Sequence, residues 1–205
     1  MFDTVKYLIE SRVSTGRYAL GRDISDQDVT ELARLATRAP SAYNAQNWRI
    51  IAVRSADAKA QLHSLAHGQQ QVLDAPVTFI ICGTLSAHEG LDRALQPSVD
   101  VGILNPSVAQ GWVAAATGSY QGNEQLQRDE AYRSASLAAM TLMFAAQGMG
   151  LSTGAMSGFD AAGVVRAFGL APHELPVMLV TVGYPAEGNW PQKPRKPLHE
   201  VLAFA

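Results

Sequence analysis

Three short stretches of this sequence are polar in ways that a buried core does not require. The first is Ser11-Arg12-Val13-Ser14. The second is Ala39-Pro40-Ser41-Ala42-Tyr43-Asn44-Ala45-Gln46-Asn47-Trp48, and the third is Lys193-Pro194-Arg195-Lys196-Pro197. Arg12, Lys193 and Arg195 can neutralise a phosphate, the guanidinium groups offering paired donors to its oxygens. Ser41, Asn44 and Gln46 can bond a polyol chain and the edge of a flat heterocycle. Small residues such as Ala42 and Gly158 would let such a ring lie close to the backbone. Taken singly, a helix end, a turn and a solvated basic tail account for the three stretches equally well. Taken together, they supply what a flavin mononucleotide site needs.

Other chemistries fit less well. His63 and His67 are four apart on an expected helix, the spacing of two metal ligands on one face. No Glu-x-x-His framework or nearby cysteine completes a shell, so two solvated histidines are expected and no metal site. No Gly-x-Ser-x-Gly elbow exists for a nucleophilic serine. Gly148-Met149-Gly150-Leu151-Ser152-Thr153-Gly154 has its third glycine one residue late for a dinucleotide fingerprint and follows a helix rather than a strand. The Gly-rich phosphate loop ending in Gly-Lys is absent.

The elements that must position these groups are legible in outline. Val5, Leu8 and Ile9 mark a short first helix. Ser25 with Asp28 resembles a capping pair before Val29, Leu32, Leu35 and Ala36, a helix expected to stop at Ala39-Pro40. Trp48 to Arg54 reads as a strand, followed by helix from about Ala56 to Leu73 with an interruption at Gly68. Pro76 opens a second strand, Val77 to Cys82, apolar enough for burial on both faces. Residues 84–100 show no strong period, Trp112 to Ala116 suggests a short helix, and Gly118 to Asn123 a loop. Asp129 to Gln147 is the clearest helix, and its second half has almost no polar face. Such a helix belongs at a domain centre or a subunit interface. Gly148 to Gly158 reads as a glycine-rich turn region around a short extended piece. Ala161 to Phe168 is a short helix ending at Gly169, and Val177 to Val182 is a third buried strand. The tail from about 184 to 205 carries four prolines, with Trp190, Leu198, Val201 and Leu202 as docking surfaces. The whole is an α+β layout in one domain, 1–205.

With 205 residues, 47% hydrophobic and 17% charged, the chain can bury a substantial core. Sixteen Lys and Arg against eighteen Asp and Glu leave a net charge of −2, which gives no general attraction to nucleic acid or an anionic membrane. The lone Cys82 excludes an internal disulfide and reads as a buried structural thiol. The N-terminus lacks the pattern of a signal peptide, and Ala135 to Ala146 is too short to span a bilayer. A cytoplasmic protein is expected.

The motifs resemble those of the FMN-dependent nitroreductase family along nearly the whole chain. Ala39 to Trp48 is similar to the family's A-P-S-x-x-N-x-Q-P-W segment, and Arg12-Val13-Ser14 to its N-terminal R-x-S. Asp74-Ala75-Pro76 also fits, as do Arg133 to Met140, Gly158-Phe159-Asp160 and the tail pair around Lys193-Pro194-Arg195. The resemblance implies a nitroreductase-like α+β fold, a central mixed sheet flanked by helices, in an intertwined homodimer with two FMN molecules at its interface. It implies FMN contacts from Arg12, Val13, Ser14, Pro40, Ser41, Ala42, Asn44, Gln46, Gln71, Ala155, Met156, Ser157, Gly158, Lys193 and Arg195. It further implies a ping-pong cycle in which NADH or NADPH reduces the flavin and a nitroaromatic, quinone or similar acceptor reoxidises it. The flavin is then the reacting group, and no side chain need act as acid or base.

Three positions depart from the family pattern. Asn47 stands where a proline is common, Gln71 where a lysine commonly faces the flavin, and Ser157 where some relatives carry glutamate. A neutral amide at 71 implies a lower flavin reduction potential. Tyr43, Trp112 and Tyr120 are candidates for the acceptor pocket, and Trp112 and Tyr120 serve equally as ordinary core or interface aromatics. Alternatives are an FMN-binding storage or sensor protein, or a flavin enzyme of the same fold with another outcome, such as dehalogenation or flavin breakdown.

Overall fold

A computed structural model describes residues 2–205. Four strands form one sheet in the order β1-β2-β4-β3: β1 (Trp48–Val53), β2 (Val77–Thr84), β3 (Ser152–Met156) and β4 (Glu174–Gly183). Every named pair is antiparallel, with Ile51 opposite Ile80, Phe79 opposite Val180 and Thr153 opposite Val182. The mixed character expected of the sheet is confined to one isolated parallel bridge, Ser14 to Thr153.

Both faces of the sheet are covered, as the continuous apolar runs of β2 and β4 require. On one face Val77, Phe79, Ile81, Val180 and Val182 pack with Leu32 and Ala36 of α2 (Asp26–Ala36) and with Ala135, Ala139 and Leu142 of α7 (Glu124–Gly148). On the other, Ile80, Cys82 and Leu179 pack with Leu62 of α3 (Ala56–Leu65) and Val164 of α8 (Ala161–Ala167). Helix α7 crosses so close to β2 that a Cβ at Gly83 would overlap the backbone of Ala131. Ser25 caps α2, its hydroxyl accepting from the Asp28 N–H at 3.0 Å.

Helix α1 (Phe2–Ser11) and α4 (Gln71–Asp74) flank the region of interest, and α2 ends three residues before the expected stop. His67 leaves α3 in a left-handed turn (φ 54°), so His63 and His67 do not share a helix face. Among the described residues no cluster of His, Cys, Asp and Glu could hold a metal, and no helix is long and apolar enough to cross a membrane.

The largest departures from expectation lie between 84 and 123. Residues 91–100 form α5 (Leu91–Asp100) despite Pro97, and α6 runs from Pro106 to Tyr120 with Asn105 as its cap. The stretch 118–120, expected as loop, is helical. These two helices make their own small core of Leu91, Leu95, Ala109, Ala116 and Tyr120, against which Tyr43 and Ala45 pack.

Candidate functional site

Strand β3 is an edge strand, and its free edge frames a cavity. The Thr15 N–H donates to the Thr153 carbonyl at 2.8 Å, so the backbone groups of Thr153 point away from β4. Side-by-side alternation along a strand then directs the N–H and C=O of Ala155 to the same open edge. There lies a cavity of about 560 Å³ lined by Ser14, Thr15, Gly16, Arg17, Gln69, Gln71, Ala155, Met156, Ser157, Gly158, Asn189, Trp190 and Lys193. That volume is in the ordinary range for a small-molecule or cofactor site.

Local chemistry explains why these residues meet. The side chain of Asn189 ties the 16–17 turn to the C-terminal arm. Its Oδ1 accepts from Gly16 N–H (2.9 Å) and Arg17 N–H (3.0 Å), and its Nδ2 donates to the Arg17 and Ala186 carbonyls (2.8 and 2.9 Å). Gln192 makes a second tie, donating to the Arg12 carbonyl at 2.9 Å and accepting from Arg195 Nη2 at 3.0 Å. Gln69 donates to the Gly158 carbonyl at 2.9 Å, closing the far wall. A Cβ at Gly16 would stand only 3.2 Å from Gln71 Oε1, so the Gln71 amide lies against that glycine. Beneath the floor, the buried Tyr18 hydroxyl and Thr181 Oγ1 are 2.8 Å apart, and Thr181 also donates to Gly154. Burial drives the Tyr18 phenol well above its usual range, so it stays protonated.

Two features of the cavity are unsatisfied as it stands. Thr15 is 2% exposed and its hydroxyl has no hydrogen-bond partner among the described residues. Arg17 and Lys193 line the cavity, Arg12 and Arg195 are linked to each other through Gln192, and none of the four has a carboxylate partner among the described residues. Unpaired cations at a concave site favour an anionic ligand.

Of the expected cofactor residues, the cavity takes in Ser14, Gln71, Ala155, Met156, Ser157, Gly158 and Lys193. Arg12 and Arg195 adjoin one another through Gln192, and Val13 links Arg12 to Ser14. Pro40, Ser41, Ala42, Asn44 and Gln46 do not join them in this chain. Ala42 borders a crevice with Tyr120 and Glu130, and Gln46 lines a separate cavity of about 580 Å³ with Asn47, Arg93 and His173. The expected convergence is therefore divided between two places.

That second segment has an unusual backbone. Tyr43, Asn44 and Gln46 all have φ between 51° and 55°, a left-handed region that side chains with a Cβ seldom occupy. The Ser41 hydroxyl stabilises the turn by accepting from the Gln46 N–H at 2.8 Å. Asn47 is 5% exposed and donates to the Thr84 carbonyl at 3.2 Å while its own carbonyl accepts from Thr84 N–H. The asparagine standing in place of proline thus locks β1 to the end of β2. Asn44 and Gln46 are left exposed. Tyr43, Trp112 and Tyr120 do come together, with ring centroids 6.3 Å (Tyr43 to Trp112) and 6.4 Å (Tyr43 to Tyr120) apart in edge-on geometry. Trp112 is 37% exposed, and the His88 ring lies tilted beside Tyr120, with centroids 6.1 Å apart.

Arg17, Gln69, Asn189, Trp190 and Gln192 were not expected at the site. Their only sequence signal is nearness to motif residues, because an exposed amide gives no periodicity.

The Nitroreductase family model matches residues 9–184. The chain belongs to the nitroreductase family. Among its relatives, a protein of Bacillus subtilis (strain 168) described as a "putative NAD(P)H nitroreductase", YodC, is 34% identical over 197 residues, covering 96% of each chain. A crystal structure of the Bacillus subtilis "putative nitroreductase" YdfN superposes with a TM-score of 0.93 at 30% identity, covering 100% of both chains. Another, from Exiguobacterium sibiricum 255-15 and solved in complex with FMN, has a TM-score of 0.90 at 27% identity, covering 98% of this chain and 96% of that one. The nitroreductase fold expected from the motifs is the fold observed.

Proposed function

We propose that this chain is a cytoplasmic, FMN-dependent oxidoreductase that takes electrons from NADH or NADPH and passes them, by a ping-pong cycle, to a nitroaromatic, quinone or similar acceptor. The observation that carries the reading is the β3-edge cavity. Free backbone groups, an orphaned threonine hydroxyl and unpaired cations converge there on residues the motifs had singled out. These features fit a phosphorylated polyol attached to a flat polar ring.

Ser14 and Thr15 would hold the polyol, with Arg12, Lys193 and Arg195 on the phosphate. Gln71, Ser157, Gly158 and the Ala155 backbone would meet the edge of the ring. Bound there, FMN supplies the two-electron carrier, so the protein's task is position, electrostatics and exclusion of water. No side chain is assigned a catalytic role. The cavity is open on one side, and Pro40, Ser41, Ala42, Asn44 and Gln46 lie elsewhere on the same chain. A homodimer resolves this: each copy presents its own 40–46 segment to the other's cavity, carrying Tyr43, Trp112 and Tyr120 along as walls for a flat acceptor. The chain acts as one domain whose arm, 184–205, reaches over the partner.

Purified protein should be yellow and hold one FMN per chain. Anaerobic NADH or NADPH should bleach it, and a nitroaromatic or quinone should restore the colour. Failure to bind saturating FMN would end the reading. Bound flavin that no nicotinamide bleaches would make the chain a storage or sensor protein instead.

A further inference from the structure

The cavity of about 580 Å³ beside Asn47 matches the β3-edge cavity in size, and nothing in the flavin chemistry calls for it. Three ionisable side chains line it from three elements. Glu89 comes from the single turn Ala87–Gly90, Arg93 from α5, and His173 from the loop before β4. None of the three is assigned above to flavin, acceptor or the C-terminal arm. None makes an ion pair or a side-chain hydrogen bond among the described residues.

The walls that carry these groups are fixed. Asn47 ties the start of β1 to Thr84, and the Leu85 N–H donates to the His173 carbonyl at 2.8 Å. Gln127 of α7 accepts from the Ser86 N–H at 3.1 Å and donates to the Tyr120 carbonyl at 2.8 Å. Leu91 and Leu95, each 1% exposed, seat α5 against its neighbours. Ser86 itself is held left-handed (φ 54°), a strained conformation of the kind that clusters at ligand clamps.

Opposite charges four residues apart on a continuous helix pair across one turn. Glu89 and Arg93 have that spacing, yet the helix is interrupted between them at Gly90 (φ −114°, ψ 9°) and no pair forms. Both charges are thus left to a third party in one cavity. A simple anion is drawn to Arg93 and repelled by Glu89, and a simple cation the reverse; a molecule carrying both signs is attracted by both. Arg93 offers a carboxylate two parallel donors, and His173 can add another. Leu85, Ala94 and Pro97 supply an apolar wall for the body between the two ends.

We infer that this cavity is a second ligand site, for a small zwitterion with an apolar body such as a free hydrophobic amino acid. Its carboxylate lies on Arg93 and its ammonium on Glu89. The site needs no flavin and uses no side chain proposed to hold one.

The test is calorimetric titration of the purified full-length protein, with saturating FMN present, using L-phenylalanine and L-leucine. Each is compared with its matched acid and amine: 3-phenylpropionate and 2-phenylethylamine, 4-methylpentanoate and 3-methylbutylamine. At least one amino acid should bind saturably, and its acid and amine should each bind roughly tenfold more weakly, the loss of one charge-assisted contact. Arg93→Gln should abolish the advantage over the amine, Glu89→Gln the advantage over the acid, and Arg166→Gln on α8 should change neither. FMN affinity and melting temperature should be the same in all three variants, which separates loss of the site from loss of the fold. Saturable binding by neither amino acid would overturn the inference. So would an acid that binds as tightly as its amino acid, or amino acid binding that survives both Arg93→Gln and Glu89→Gln. Failure of FMN to bind wild type would remove the cofactor reading and leave this one standing, since the titrations can be run without flavin.

Discussion

Replacing Asn189 with alanine removes four hydrogen bonds at once: two accepted by Oδ1 and two donated by Nδ2. Three of the four are solvent-exposed, so the freed groups regain water and each bond is taken near the low end of its net range, about 0.5 kcal/mol. The sum is about 2 kcal/mol. Because three of the four bonds join the 16–17 turn to the arm, their loss should appear as local opening at the cavity rather than global unfolding. If the closed arrangement is required for FMN to bind, Kd should rise by up to about thirtyfold. The melting temperature should fall by no more than about 4–8 °C, the range for a chain of this length. Flavin fluorescence titration and amide exchange on residues 14–18 and 186–190 would measure both effects. Asn189→Asp adds an informative comparison, since it keeps the acceptor, loses the donors and introduces a negative charge beside the cations proposed to hold the phosphate. It should bind FMN more weakly than the alanine variant at low salt. Unchanged FMN affinity and unchanged exchange in Asn189→Ala would refute the clamp as the organiser of the site.

Gln71→Lys should raise the reduction potential of bound flavin, because an ammonium favours an anionic reduced ring more than an amide does; a potentiometric titration with no upward shift would remove Gln71 from the ring's surroundings. Gly83→Ala forces a Cβ into the backbone of Ala131, and overpacking of this kind should cost about 1–3 kcal/mol, read from chemical denaturation. Burial, reinforced by nearby Glu174, pushes the Cys82 thiol up to about 12. Its folded value exceeds its unfolded one of about 8.5, so this contribution to stability is complete below that pH and is lost as pH rises toward 12. Iodoacetamide at pH 8 should therefore label Cys82 only as fast as the protein unfolds, and rapid labelling of the native state would show the thiol is accessible.

The strands around the core were legible because β2 and β4 are unbroken apolar runs, and helix α7 because its second half leaves no polar face. Residues 84–120 were not. Pro97 interrupts the helical signal inside α5, and the Ala- and Gly-rich stretch 109–118 lacks the stripe that marks a helix resting on a core. Those two helices pack mainly on each other and on Tyr43, a tertiary arrangement with no local signature. At the site, the motif residues were visible because their types are polar where the surroundings are not. Asn189 and Gln192 were hidden in the tail, where one more exposed amide looks like any other until its partners more than 170 residues away are known. The separation of the 40–46 segment from the rest was equally invisible, since spacing along a chain does not say which cavity a residue lines.

The open rim of β3 has a consequence for how this protein would fail. Its outward N–H and C=O groups at Ala155 are held in register yet matched by nothing beyond the Ser14 bridge, the condition in which a strand recruits a stranger. A chain deprived of its ligand, with the arm lifted, would still be folded but adhesive along that margin. Loss of cofactor should then announce itself as turbidity at concentrations where the loaded protein stays clear, well before any helix melts.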